Sequence, residues 1–324
     1  MSEDLGIVLA VLWVLCHNHK MQKTSMNLCD LDGEVDMIPQ KIALLTDSCA
    51  DISPELLKEN SIYVVPLRIL CEDGEYLDGV NIRNTDVYAR LKAGELPKTS
   101  LPSIEELAKV IKEIADAGYD GIIAVMLSSG LSGTHNLARI IADECEGQLE
   151  MRAYDSCSAS LGQGMTVLQL AEDIKAGMGW EELNERRVPQ LMKGSNAFFS
   201  VDTLEYLLKG GRIGKVTATA GALLQIKPVL GFAADGQLVS VAKVRGRNQV
   251  LDKLVELAVK ACGDHKRYNL AVANGGAPEE MAKVREKLTA ALPNYDHIWE
   301  GEIDSTLSVY IGDGIVGAAV QILD

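Results

Sequence analysis

Three short stretches of the chain gather hydroxyls, glycines or cations in patterns that side-chain chemistry can use. Lys98-Thr99-Ser100-Leu101-Pro102-Ser103 places three hydroxyls in a proline-shaped loop just ahead of a helix. Ser103 stands where an N-cap belongs, so ordinary capping accounts for one of them. Ser128-Ser129-Gly130-Leu131-Ser132-Gly133-Thr134 joins an apolar run to a second helix. Its glycines let the backbone turn sharply, and the first amides of the helix lack internal partners. Such amides form an anion site that Ser132 and Thr134 can supplement, although a plain helix cap fits the same residues. Lys209-Gly210-Gly211-Arg212-Ile213-Gly214-Lys215 nearly matches a phosphate loop but carries Lys209 and Val216 where Gly and Ser or Thr are required. In an acidic protein these three cations point to an anion or an acidic partner, against the plainer reading of a helix end with solvated charges. Lys243, Arg245 and Arg247 form a second basic cluster.

Other chemistries find little support. His17, His19, His135, His265 and His297 are scattered without metal-ligand spacing. The seven cysteines contain no C-x-x-C pair, which fits reduced thiols in the cytoplasm rather than a disulfide framework or a zinc site. A net charge of −15 argues against general nucleic-acid binding and against broad adhesion to anionic membrane, leaving at most transient membrane contact. Hydrophobic residues make up 47% and aromatics only 5% of the 324 residues, so a sizeable core is available. An apolar site would be lined by aliphatic side chains, which suit a flexible alkyl chain better than stacked rings.

The elements that must position the three motifs alternate from Lys41 onward. KIALLTDS (41–48) is a strand, and Ser53-Pro54 opens a helix. SIYVVPLRIL (61–70) reads as a second strand with Pro66 at an edge or bulge. After a loop containing EDGEY come helices near 84–93 and from Ser103 to Gly118, the strand 121–128, the helix 133–145, the strand 151–156 and helices near 160–176 and 180–193. This alternation predicts a parallel sheet with helices on both faces and ligands beyond the strands' carboxyl ends. The later half predicts a second α/β domain: a strand at 196–201, the helix TLEYLLKGG, a small-residue helix TATAGALLQ, a hairpin over 228–244 turning at Asp235-Gly236, and further strands and helices. The expected boundaries are an extension at 1–40, one α/β domain at 41–190 and another at 191–324. Leu5 to Cys16 is apolar but too short to span a bilayer, and it follows Glu3 and Asp4 rather than the basic start of a secretory signal. The extension reads as a segment outside the fold, with Met37 a natural beginning; a peripheral membrane anchor is the sharper alternative.

Nine segments, in order, resemble the DegV family, whose members bind fatty acids: TDSCAD (46–51), DGEYLDG (73–79), KTSLPS (98–103), SSGLSGTHNLA (128–138), YDSCSASLGQG (154–164), TLEYLLKGGRIGK (203–215), LLQIKPVL (223–230), KVRGR (243–247) and GDGIVG (312–317). The resemblance spans 41–324. It implies two α/β domains enclosing an acyl chain, with the carboxylate held by hydroxyls of Thr99 or Ser100 and by Ser132 with the Gly133 amide. It also implies a lipid-carrying, non-catalytic subunit of a fatty acid kinase. A separate ATP-using partner similar to dihydroxyacetone kinases would phosphorylate the bound carboxylate, and Arg212 and Arg245 would face that partner. No cofactor besides the bound lipid is implied. The chain departs from the family pattern at Cys49, Leu101, His135 and Tyr310, where Thr or Ser, Gln, Tyr and His are usual.

Burying about sixteen carbons at roughly 0.8 kcal/mol per CH₂ gives on the order of 12 kcal/mol gross, much of it offset by association and ordering costs. Most of that gain is non-directional, so the head group must set orientation. Neutral hydroxyls and amides can do so and leave the carboxylate nucleophilic, whereas a buried cation pair would damp it. Two other readings compete. A serine esterase or thioesterase would use Ser132, which sits in an incomplete G-x-S-x-G elbow with Thr134 in place of the last glycine, and His135 nearby as base; no acid is evident. A carrier of another apolar acid, without a kinase partner, is the other.

Overall fold

The computed structural model describes residues 39–145, 149–216 and 226–324. The expectations for the N-terminal extension, Gln40 and Pro39 apart, and for the TATAGALLQ helix fall outside these residues. Among the described residues, no helix is long and apolar enough to cross a membrane.

The first sheet is wholly parallel. β1 (Ile42–Asp47) lies between β2 (Ile62–Val65) and β6 (Gly121–Met126), and β7 (Glu150–Asp155) closes the other edge. β6, GIIAVM, is buried along its whole length, as a central parallel strand must be when helices cover both faces. Successive side chains point to opposite faces. Ala43, Leu45, Ile122, Ala124 and Met126 pack on α3 (Ile104–Asp116) and α4 (Thr134–Cys145), while Leu44, Ile123 and Val125 face α5 (Leu161–Lys175). Earlier in the chain come α1 (Pro54–Glu59), capped by Ser53 and opened by Pro54, and α2 (Asn84–Lys92).

The predicted strand over 61–70 is two strands. β2 ends at Val65, and β3 (Arg68–Cys71) starts beyond Pro66-Leu67 in a different sheet. Proline has no amide hydrogen for a ladder, so the chain changes partners there. β3 pairs antiparallel with β4 (Gly74–Leu77), turning a predicted loop into a hairpin, and with β5 (Lys98–Ser100). The KTS segment is therefore strand rather than loop, with Ile69 opposite Thr99.

A helical run from Trp180 ends in α6 (Val188–Gly194) and leads to the second sheet, whose order is β10-β9-β8-β13-β11-β12. Its members are β8 (Ser195–Ser200), β9 (Ile226–Phe232), β10 (Leu238–Arg245), β11 (Tyr268–Gly275), β12 (Ile298–Glu302) and β13 (Ile315–Ile322). β13 runs antiparallel to both neighbours at the centre and is buried throughout. α7 (Glu205–Lys209) follows β8; α8 (Arg247–Cys262) and α9 (Pro278–Ala291) cover one face through Val250, Leu254, Val284 and Leu288. β9 and β10 form the expected hairpin, with Gly236 at φ +70° in its turn.

Two elements join the sheets. α5 packs against β1 and β6 on one side and β8, β11 and β13 on the other, so it is buried nearly all round. Gly164 allows this approach, since a Cβ there would lie 2.3 Å from the Ala50 carbonyl oxygen. α10 (Ser305–Ile311), late in the sequence, packs back on α2, β3 and β5.

Candidate functional site

The polar end of the site is built where β5, the β6–α4 loop, the segment after α7 and α10 meet. β5 owes its place to its pairing with β3, and this brings Thr99 opposite α10. Thr99 Oγ1 and the Tyr310 hydroxyl are 2.6 Å apart. The Arg212 guanidinium lies 4.9 Å above the Tyr310 ring, with Nε donating to the Leu131 carbonyl at 3.4 Å and Nη1 to the Gly210 carbonyl at 2.9 Å. Arg212 thus ties α10 to the β6–α4 loop while remaining half-buried.

That loop is fixed from within and from across the molecule. The Leu131 and Ser132 amides both donate to the Ser128 carbonyl at 3.0 Å, and the Ser128 hydroxyl donates to the Gly236 carbonyl of the β9–β10 turn at 2.8 Å. A Cβ on Gly130 would sit 2.5 Å from the Gly236 carbonyl carbon, so only glycine permits this contact. Ser132 Oγ accepts from the Thr134 amide, the first of α4, at 3.3 Å and lies 2.8 Å from Thr134 Oγ1. Gly133, immediately before that twelve-residue helix, borders the same space.

Behind these groups lies a cavity of about 270 Å³ between the two sheets. Its volume falls just below the ~300–1,000 Å³ typical of small-molecule sites. Thr99, Ser100, Ser132, Gly133, Arg212 and Tyr310 line one part. Leu131, Phe199, Phe232, Leu307 and Ile315 line the body, and Ala197, Ala271, Ala273, Gly317 and Ala319 on β8, β11 and β13 leave room along the second sheet. Small residues on a sheet face are what keeps this space open, because larger ones would fill it as ordinary core.

Five of the six residues singled out from sequence, Thr99, Ser100, Ser132, Gly133 and Arg212, therefore meet at one cavity. Arg245 does not; it ends β10 on an exposed surface and is absent from the lining. Ser103 serves as the cap of α3, reciprocated by Glu106, whose carboxylate also takes Arg68 at 3.0 Å. Tyr310 was legible only as a departure from a family pattern, and no periodicity or motif marks it as a contact of Thr99. Thr306 and Leu307 carry no sequence signal at all. For a hydrolase, the hydrogen bonds of Ser132 Oγ among the described residues run to Thr134, and His135 makes none with it. No base sits on the hydroxyl.

A family model described as an uncharacterised protein of the DegV family matches residues 41–322. The chain belongs to the DegV family. A DegV domain-containing protein of Clostridium acetobutylicum is 37% identical over 279 residues, covering 86% of this chain and 98% of the relative. Among solved DegV structures, one from Thermus thermophilus described by its fatty acid binding superposes with a TM-score of 0.81 at 29% identity, over 88% of this chain and 100% of that one. DegV of Bacillus subtilis, described as a fatty acid binding protein, gives 0.77 at 30% identity over 87% and 99%. A stearic acid-binding protein from Eubacterium ventriosum gives 0.78 at 26% identity over 87% and 98%. Fatty acid binding is thus a property of several DegV proteins with this fold. The DegV match covers every element described above from β1 to β13 and begins where the alternation of strands and helices begins.

Proposed function

We propose that this protein binds one long-chain fatty acid in the cavity between its sheets, with the carboxylate at the Thr99, Ser100, Ser132 and Gly133 end and the acyl chain running toward the alanines of β11 and β13. The observation that carries the reading is the division of a single cavity into a polar end of hydroxyls, an amide and the Arg212 guanidinium and an apolar body of aliphatic side chains and phenylalanines. All three phenylalanines of the chain line the body, where the composition predicts aliphatic side chains alone; its modest volume suits a narrow flexible chain. The fatty acids described for DegV relatives at 26–30% identity support the same choice. The chain carries no chemistry of its own in this reading. Its hydroxyls orient the head group without neutralising it, and a separate ATP-using kinase similar to dihydroxyacetone kinases takes the exposed carboxylate to an acyl phosphate. Arg212, at the mouth, and Arg245, on the outer surface of β10, are the cations offered to that partner or to its phosphates.

The test begins with mass spectrometry of lipid extracted from the purified protein, followed by calorimetric titration of delipidated protein with palmitate and oleate. Thr99→Ala and Ser132→Ala are each expected to weaken binding about tenfold, the loss of roughly one charge-assisted hydrogen bond. Unchanged affinity in both variants removes these loops from the site. Arg245→Glu is expected to leave lipid affinity intact and to slow acyl phosphate formation by the kinase; equal rates would remove Arg245 from the partner surface.

A further inference from the structure

Beside the cavity, three carboxyls converge on the first turn of α10. Asp78 Oδ1 accepts the Ser305 amide at 3.0 Å, and its Oδ2 accepts the Ser48 hydroxyl at 2.9 Å and the Thr306 amide at 3.3 Å. Asp304 Oδ1 caps the helix by accepting the Leu307 amide at 2.7 Å. Asp51 Oδ1 accepts the Asp304 amide at 2.9 Å. The second oxygens of Asp51 and Asp304 are different: each Oδ2 is buried and accepts no hydrogen bond among the described residues, while the Ser160 hydroxyl, buried and likewise unpartnered, lies beside Asp51. The Asp304 amide bond to Asp51 holds the two carboxyls side by side, and each acts directly on the other's ionisation. Asp51 is only 8% exposed, so water offers it little. The ionisable groups around the pair are Asp47 and Cys49 from the end of β1 and the turn after it, Asp78 from beyond β4 and Tyr88 from α2. None is a cation, and among the described residues no Lys, Arg or His pairs with any of these aspartates.

We propose that Asp51 and Asp304 share one proton between their Oδ2 atoms, and that this proton latches α10 to the turn after β1, holding Leu307 and Tyr310 in the cavity wall. Two ionised carboxylates cannot sit together away from water without a counter-charge. One proton removes the repulsion and joins the two carboxyls by a charge-assisted O–H···O⁻ bond, with the Ser160 hydroxyl left to serve Asp51 as a weaker, neutral donor. Burial acts in the same sense on each group. It raises Asp51 to about 7 and lifts Asp304 well above the ordinary carboxylate range, with Asp78 adding to both. The Cys49 thiol, raised by burial and by the surrounding acids, stays protonated and adds no charge. This inference stands whether or not the cavity holds a fatty acid.

A folded state that retains a proton the unfolded chain has released is most stable below the ordinary aspartate range and loses that stability as pH rises through the folded value. Asp51→Asn makes the bridge permanent, because the amide can donate to Asp304 Oδ2 while its oxygen still takes the Asp304 amide. The wild-type melting temperature is expected to fall by several degrees between about pH 5 and pH 8, and Asp51→Asn to make that slope clearly shallower, leaving the share carried by Asp47. Infrared spectra of the wild-type protein near neutral pH are expected to show a stronger protonated-carboxyl band than Asp51→Asn, whose remaining intensity belongs to Asp47. A wild-type slope preserved in Asp51→Asn, or no protonated band near pH 6 in the wild type, overturns the proposal. So does a cation in the proton's place: Cys49 Sγ and carboxylate oxygens of Asp78 and Asp304 lie within 4.8 Å of one another. Stoichiometric zinc binding lost in Cys49→Ser would assign the charge balance to a metal. Should Asp51→Asn fail to fold, the wild-type spectrum and the zinc titration still decide.

Discussion

Two polar centres, one in the wall of the cavity and one behind that wall beside α10, handle negative charge in opposite ways. At the mouth, Thr99, Ser132, Gly133 and Tyr310 bring neutral polar groups together beside the Arg212 guanidinium, with no carboxylate of the protein in the lining. Beside α10, Asp47, Asp51, Asp78 and Asp304 crowd together, and their amide donors come from the protein's own turns. The mouth is arranged to receive an anion from outside; the acidic centre has its anions built in and spends its donors on them. The difference separates binding from folding. Donors left over at a helix start serve a ligand, whereas donors already matched to carboxylates fix the backbone.

Removing a member of the acidic centre should therefore cost stability first. Asp47 takes the Leu127 amide at 2.6 Å, the Cys49 amide at 3.1 Å and the Gln163 side-chain amide at 3.1 Å, tying the ends of β1 and β6 to α5. Asp47→Ala leaves these buried donors unmatched and is expected to lower stability by about 2–4 kcal/mol in urea unfolding. A loss under ~1 kcal/mol would mean the acids are not structural. Burial raises the Asp47 carboxyl to about 6, so part of any pH slope belongs to it and has the same sign as that of the Asp51–Asp304 pair.

Giving the mouth the character of the acidic centre should abolish its use. Aspartate caps helices as well as serine does, so Ser132→Asp is expected to keep the melting temperature and to weaken palmitate binding about a hundredfold. Retained affinity would show that the carboxylate lies elsewhere. The smallest effect is expected from Tyr310→Phe, which deletes one hydroxyl and keeps the ring beneath Arg212. About threefold weaker binding, measured by titration, fits one neutral hydrogen bond; an effect as large as that of Ser132→Asp would make Tyr310 the principal ligand.

Much of this was written in local sequence. The buried run GIIAVM, the Ser53-Pro54 and Ser103 caps and the Asp235-Gly236 turn are set by neighbours within a few residues, and the elements formed where those signals placed them. Thr99, Ser132 and Arg212 were legible too, as hydroxyls and a cation next to turn-forming residues. What lay beyond reach is non-local. Pro66 announced a disturbed strand but not a change of sheet, and the KTS segment became a strand only because β3 was there to pair with it.

The sequence by itself determined the strands, helices and caps, together with the chemical types available at their ends, because backbone preferences and hydrophobic period act over short spans of chain. Tertiary structure alone decided that Tyr310 meets Thr99 across 211 positions, that Asp51 meets Asp304 across 253, and that alanines on β11 and β13 border a space rather than a filled core. Such pairings depend on how α5 and α10 join two sheets, and no residue encodes in its own neighbourhood which distant surface it will face.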